Sequence, residues 1–112
     1  MGLDIKITAQ VELEENIVKD LLKKHNIFFN KIQTNVANLR NDYNLHNTIC
    51  THENVEETAN NQIEFDDFVL YLEDAIVSSN EVSEKDLYKK ILDKLNSMQS
   101  EFGYVDVFYR FY

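Results

Sequence analysis

The stretch Leu3-Asp4-Ile5-Lys6-Ile7-Thr8-Ala9-Gln10-Val11-Glu12-Leu13 places an apolar side chain at every odd position and a polar one at every even position. Successive side chains of a strand point to opposite faces, so this alternation predicts a half-buried β-strand. Beyond it the period changes. Ile17, Leu21, Phe28, Ile32, Val36, Leu39 and Tyr43 recur at spacings of three, four or seven, while Lys23, Lys24, Asn30 and Asn38 fall elsewhere. That pattern predicts one amphipathic helix of about six or seven turns. Asn16 suits its N-cap, and Glu14 and Glu15 lie on the side favoured by the helix dipole.

At the other end, Tyr104 to Tyr112 sets Val105, Val107, Tyr109 and Phe111 on one face and Tyr104, Asp106, Phe108, Arg110 and Tyr112 on the other. Two aromatic-rich faces predict a strand with neighbours on both sides, docked beside the first strand. Before it, Ser83 followed by Asp86 resembles a capping box, and Tyr88, Ile91, Leu95, Met98 and Phe102 follow at helical spacing up to Gly103, a suitable stop. A further helix is expected over 66–78, with Phe65, Phe68, Leu72, Ala75 and Ile76 inward, Asp66 or Asp67 opening it and Ser78-Ser79-Asn80 closing it. Residues 44–62 are polar, with few apolar points, and are expected to form a loop, with a short strand around Thr48–Thr51 as a variant. The expected class is α+β: a small sheet including the N-terminal and C-terminal strands, packed against about three helices in a single domain over 1–112. Two strands make a thin sheet, so a third comes from the middle or the edge is completed by another copy or a partner.

Charge is distributed unevenly. The 112 residues carry a net charge of −9, yet between Arg40 and Lys85 there is no lysine or arginine and eleven carboxylates occur: Asp42, Glu53, Glu56, Glu57, Glu64, Asp66, Asp67, Glu73, Asp74, Glu81 and Glu84. The flanks together are slightly basic. A localised acidic field attracts and steers a cationic partner and repels nucleic acid. On the helix over 66–78, Asp66, Asp67, Glu73 and Asp74 share an arc with Leu70 and Val77, and Tyr71 sits at its edge. Carboxylates that steer, around apolar or aromatic anchors that supply binding energy, are the pattern of an interface hot spot. The candidate partner-binding residues are therefore Glu56, Glu57, Glu64, Asp66, Asp67, Leu70, Tyr71, Glu73, Asp74 and Val77. The bland alternative is that Leu70 and Val77 face core and the carboxylates solvate an outer face.

Other chemistry finds little support. His46, Cys50 and His52 fall within seven residues beside Glu53, but without the paired spacing that zinc sites use, or an orienting third group for a Cys/His nucleophile. His25 reads as a boundary residue of the first helix. The acidic pairs lack the glycine of an EF-hand loop, and two glycines cannot supply a P-loop, GxGxxG or GxSxG sequence. Lys19, Lys23, Lys24, Lys31, Lys85, Lys89, Lys90 and Lys94 interleave with Asp20, Asp86 and Asp93, the pattern of solvated faces with local ion pairs. No run approaches the about 18 apolar residues that cross a bilayer. The start lacks a secretory pattern, Lys6 breaks a myristoylation motif, and a lone Cys50 suits a reducing compartment, so the expected location is cytoplasmic. Abundant Asn, Lys and Ile suggest an AT-rich coding sequence from a bacterium, mobile element or phage.

Met1-Gly2-Leu3-Asp4-Ile5-Lys6-Ile7-Thr8 resembles the start of the cloacin-type bacteriocin immunity proteins, small acidic proteins that block a cationic ribonuclease. The likeness spans eight residues and transfers no site residue. Those proteins are mostly sheet, whereas 16–102 here reads as helices, so what it implies is a class analogy. The expected function is an acidic inhibitory binding protein, without cofactor or metal and not an enzyme. Specifically, it is an immunity protein, antitoxin-like, that binds and blocks a cationic bacterial nuclease toxin. One alternative is a phage anti-defence inhibitor, anti-CRISPR-like, that mimics nucleic acid. Another is a homodimeric structural or adaptor protein pairing through its aromatic C-terminal strand. The expected partner is a basic protein, with no direct nucleic-acid or membrane contact and a possible homodimer.

Overall fold

The computed structural model describes residues 4–28, 30–53 and 60–112. Strand β1 (Ile5–Glu12) buries Ile5, Ile7, Ala9 and Val11 and exposes Lys6 and Glu12, so the alternation of the sequence becomes an inner and an outer face. Helix α1 (Glu15–His25) follows, and here the long helix expected from Ile17 to Tyr43 is corrected. Asn26 adopts the left-handed conformation (φ 52°), its N–H bonds to the Leu22 carbonyl, the Ile27 N–H reaches back to Leu21, and the helix closes. Asn16 lies inside α1; Glu14 holds the N-cap position and makes no side-chain cap.

The chain then returns as β2 (Lys31–Leu39), antiparallel to β1, with a register shift opposite Ile7 and Thr8. Helix α2 (Tyr43–Glu53) occupies most of the region expected to be a loop, including the proposed strand around Thr48–Thr51. A strand does come from the middle, later: β3 (Asn60–Ile63). Helix α3 (Phe65–Ser78), helix α4 (Val82–Phe102) and β4 (Asp106–Phe111) complete the chain. Ser83 is not the cap of α4. Glu81 holds the N-cap position without a side-chain cap, and Ser79, which ends α3, braces the turn before α4, its Oγ accepting from the Glu81 N–H at 3.3 Å and donating to Glu84 at 2.7 Å. Gly103 does end α4, with φ 81° and its N–H on the Gln99 carbonyl.

Among the described residues the architecture is α+β, with four helices and one antiparallel sheet of order β2-β1-β4-β3. The N-terminal and C-terminal strands are its two central members, Ile5 opposite Phe111 and Ala9 opposite Val107. With β1 on one side and β3 on the other, β4 has no free edge for a second copy. Ile5, Ile7, Val107, Tyr109 and Phe111 form a core with Leu45 and Ile49 of α2, Phe68 and Leu72 of α3, and Tyr88 and Leu95 of α4. Each full burial of such a side chain favours folding by about 1.5–3 kcal/mol. Helix α1 contributes nothing to this core. The molecule is accordingly long, 51 × 26 × 21 Å. No helix among the described residues is long and apolar enough to cross a membrane.

Candidate partner-binding surface

Helix α3 is oriented by what it buries. Phe68, Tyr71, Leu72 and Ala75 face the core, and Asp66 and Asp67 in the first turn complement the helix dipole. The opposite side is then fixed: Asp66, Asp67, Leu70, Glu73, Asp74 and Val77 are all exposed, Leu70 by 55% and Val77 by 84%. Among the described residues, Asp66, Asp67 and Glu73 have no ion-pair partner, and Asp74 meets only His52 Nε2, at 3.0 Å. The arc inferred from helical spacing is therefore assembled on one face, and Leu70 and Val77 do not belong to a second layer of core. Glu64, also exposed, stands at the N-cap. Glu56 and Glu57 lie outside the described residues.

Tyr71 departs from its expected place at the rim. Its ring is turned inward and 7% exposed, stacked on His52 at 4.8 Å between centroids, and its hydroxyl donates to Glu53 at 2.6 Å. It supports the surface from beneath instead of protruding from it. Burial first, and then the hydrogen bond and charge of Glu53, push its phenol well above the ordinary tyrosine range.

The eleven carboxylates of the cation-free segment divide by role. Asp42, Glu53 and Glu84 are internal acceptors: Asp42 for Tyr88 and the Leu45 N–H, Glu53 for Tyr71, and Glu84 for Ser79 and, at 3.3 Å, Asn44. The field that faces solvent comes instead from the two ends and the outer side of α3. Between α2 and α3 runs a shallow cleft of about 410 Å³, lined by Asn47, Thr48, Thr51, His52, Asp74 and Val77 among others. It continues the α3 stripe sideways with hydroxyl and amide groups.

His46, Cys50, His52 and Glu53 lie on a helix, not in a loop, and it separates them. His46 is buried against the Phe111 ring, 4.3 Å between centroids, with Cys50 Sγ 3.7 Å from its Nδ1. His52 points away to Asp74, and Glu53 to Tyr71. No group of three or more metal-ligating side chains converges among the described residues. His25 is exposed at the end of α1. Of the basic clusters, Lys19 and Lys24 make pairs four residues back, with Glu15 at 3.0 Å and Asp20 at 3.3 Å, while Lys94 donates to the Asn35 carbonyl at 3.3 Å. The His52–Asp74 contact was not foreshadowed, because 22 residues separate the two and only the packing of α2 on α3 joins them.

Comparison with protein-family models, with curated proteins and with solved structures finds no match.

Proposed function

We propose that this chain is an inhibitory binding protein that uses the outer face of α3 to dock on a cationic protein. The reading we favour is an immunity protein that acts in the cytoplasm and masks the nucleic-acid groove of a bacterial nuclease toxin. One observation carries it: Asp66, Asp67, Glu73 and Asp74 project with Leu70 and Val77 from one side of a helix, without a lysine or arginine paired to any of them among the described residues. Carboxylates held together in this way repel one another, and a cationic surface relieves that repulsion while desolvating the two apolar side chains. The mechanism is steric, requiring attraction and occlusion but no bond-making step.

The test is association with the toxin-like nuclease encoded by the neighbouring gene, followed in rising salt. Inhibition of the nuclease, with an association rate that falls steeply as salt is added, is the expected result. Asp67→Lys with Asp74→Lys should weaken binding more than Glu12→Lys with Asp106→Lys, which alter the sheet instead. A rate indifferent to salt, or equal losses from the two double reversals, would remove α3 from the interface.

A further inference from the structure

We infer that the cleft between α2 and α3 receives an arginine side chain of the cationic partner, an inference that rests on the docking role proposed for α3. Asp74 and Val77 line its α3 wall, so the cleft opens directly beside the outer face. Its α2 wall is Asn44, Asn47, Thr48 and Thr51, three and four positions apart, which form one stripe of the helix without a charge. Asparagine and threonine are poor helix formers, and alanine or lysine would hold an exposed helical position better. Half of the stripe has a structural use. Asn44 donates to the Ala75 carbonyl at 2.7 Å and accepts from the Ser78 hydroxyl at 2.8 Å, while Thr48 donates to the Asn44 carbonyl at 2.9 Å. Asn47 and Thr51 are different: both are exposed, and neither side chain has a hydrogen-bond partner among the described residues.

The chemistry of the walls selects the occupant. Asp66, Asp67 and Glu73 on the same helix hold the neighbourhood negative, which turns away a phosphate or a carboxylate. Asp74 supplies one carboxylate to the cleft itself; its Oδ2 already meets His52 Nε2 at 3.0 Å, and its Oδ1 has no partner among the described residues. A lysine ammonium is a compact, strongly hydrated charge, poorly matched by half of one carboxylate and two neutral side chains. A guanidinium is planar and weakly hydrated, and its five N–H donors spread in a fork. It can therefore bond Asp74 on one wall and the Asn47 and Thr51 oxygens on the other. Its methylene stem then covers Val77, which otherwise faces water.

Calorimetric titration of the full chain with hexa-arginine and hexa-lysine peptides, equal in charge, tests this. Both should bind through the acidic face, the arginine peptide about tenfold more tightly. Asn47→Ala with Thr51→Val removes uncharged acceptors and no carboxylate. It should erase the tenfold difference while leaving the affinity for the lysine peptide and the circular dichroism spectrum unchanged. Equal affinities in the parent, a preference for arginine that survives Asn47→Ala with Thr51→Val, or a loss of both affinities together would overturn the inference and leave the docking role of α3 standing. Binding of both peptides that ignores Asp67→Lys with Asp74→Lys would instead overturn that docking role, and this inference with it.

Discussion

Tyr88 of α4 donates its phenolic hydrogen to the Asp42 carboxylate, 46 residues earlier, and the same oxygen accepts from the Leu45 N–H at 3.0 Å. Asp42 thereby caps α2 and ties it to α4 at a site where both side chains are buried. A capping acid usually faces water. This one is enclosed, so its loss leaves both the Leu45 N–H and the Tyr88 hydroxyl without their acceptor.

Asp42→Ala should destabilise the protein by about 2–4 kcal/mol, combining a lost cap with a stranded buried hydroxyl. Asp42→Asn keeps an oxygen acceptor and should cost about half as much. Urea unfolding of the three proteins measures both differences.

Stability should hold steady from neutral pH to about 9 as far as Tyr71 and Tyr88 are concerned, and fall once pH passes about 10. Both phenols are raised, by burial first and then by their hydrogen bonds to Glu53 and Asp42. Above the ordinary tyrosine value the unfolded chain releases protons that the folded one keeps, so each phenol lowers stability by up to about 1.4 kcal/mol per pH unit. Tyr71→Phe should remove about half of that slope. Denaturant titrations between pH 8 and 11.5 would show whether it does.

Leu70→Ala and Val77→Ala should leave folding stability within about 0.5 kcal/mol of the parent, because neither side chain is buried. Leu72→Ala, two positions from Leu70 but fully buried, should cost about 2–5 kcal/mol. Thermal melts of the three variants separate the outer side of α3 from its inner side.

Gly103→Ala should cost about 1 kcal/mol. Nothing lies within 4 Å of the added methyl group, so the penalty comes from the backbone alone, held at φ 81°. Gly103→Asn, better tolerated in positive φ, should recover part of the loss in the same unfolding experiment.

The terminal strands, α3 and α4 were legible because each follows one period without interruption. The segment from 17 to 43 was not, for a physical reason. The register shift in β2 pushes Val36 and Ala37 out of simple alternation, so Ile32, Val36, Leu39 and Tyr43 fall at helix-like spacing although Lys31–Leu39 is a strand. The stop was present in Asn26, a residue that tolerates positive φ, but an asparagine amid so many others is a weak signal. Helix α2 is polar in sequence and owes its place to Asp42 and to the burial of Leu45, His46 and Ile49 against distant elements. The α3 arc could be read from spacing, whereas the inward turn of Tyr71 depends on Glu53 and His52, which only the fold brings near.

Placing β4 between β1 and β3 also sets the tempo of folding. Ile5 meets Phe111, so the central seam of the sheet joins residues separated by nearly the whole described chain. Loop closure of that length precedes any reward from the pairing, which slows the search. During synthesis, β1 emerges long before β4, and its inner face waits exposed until residue 111 has left the ribosome, so the central seam of the sheet cannot close before then.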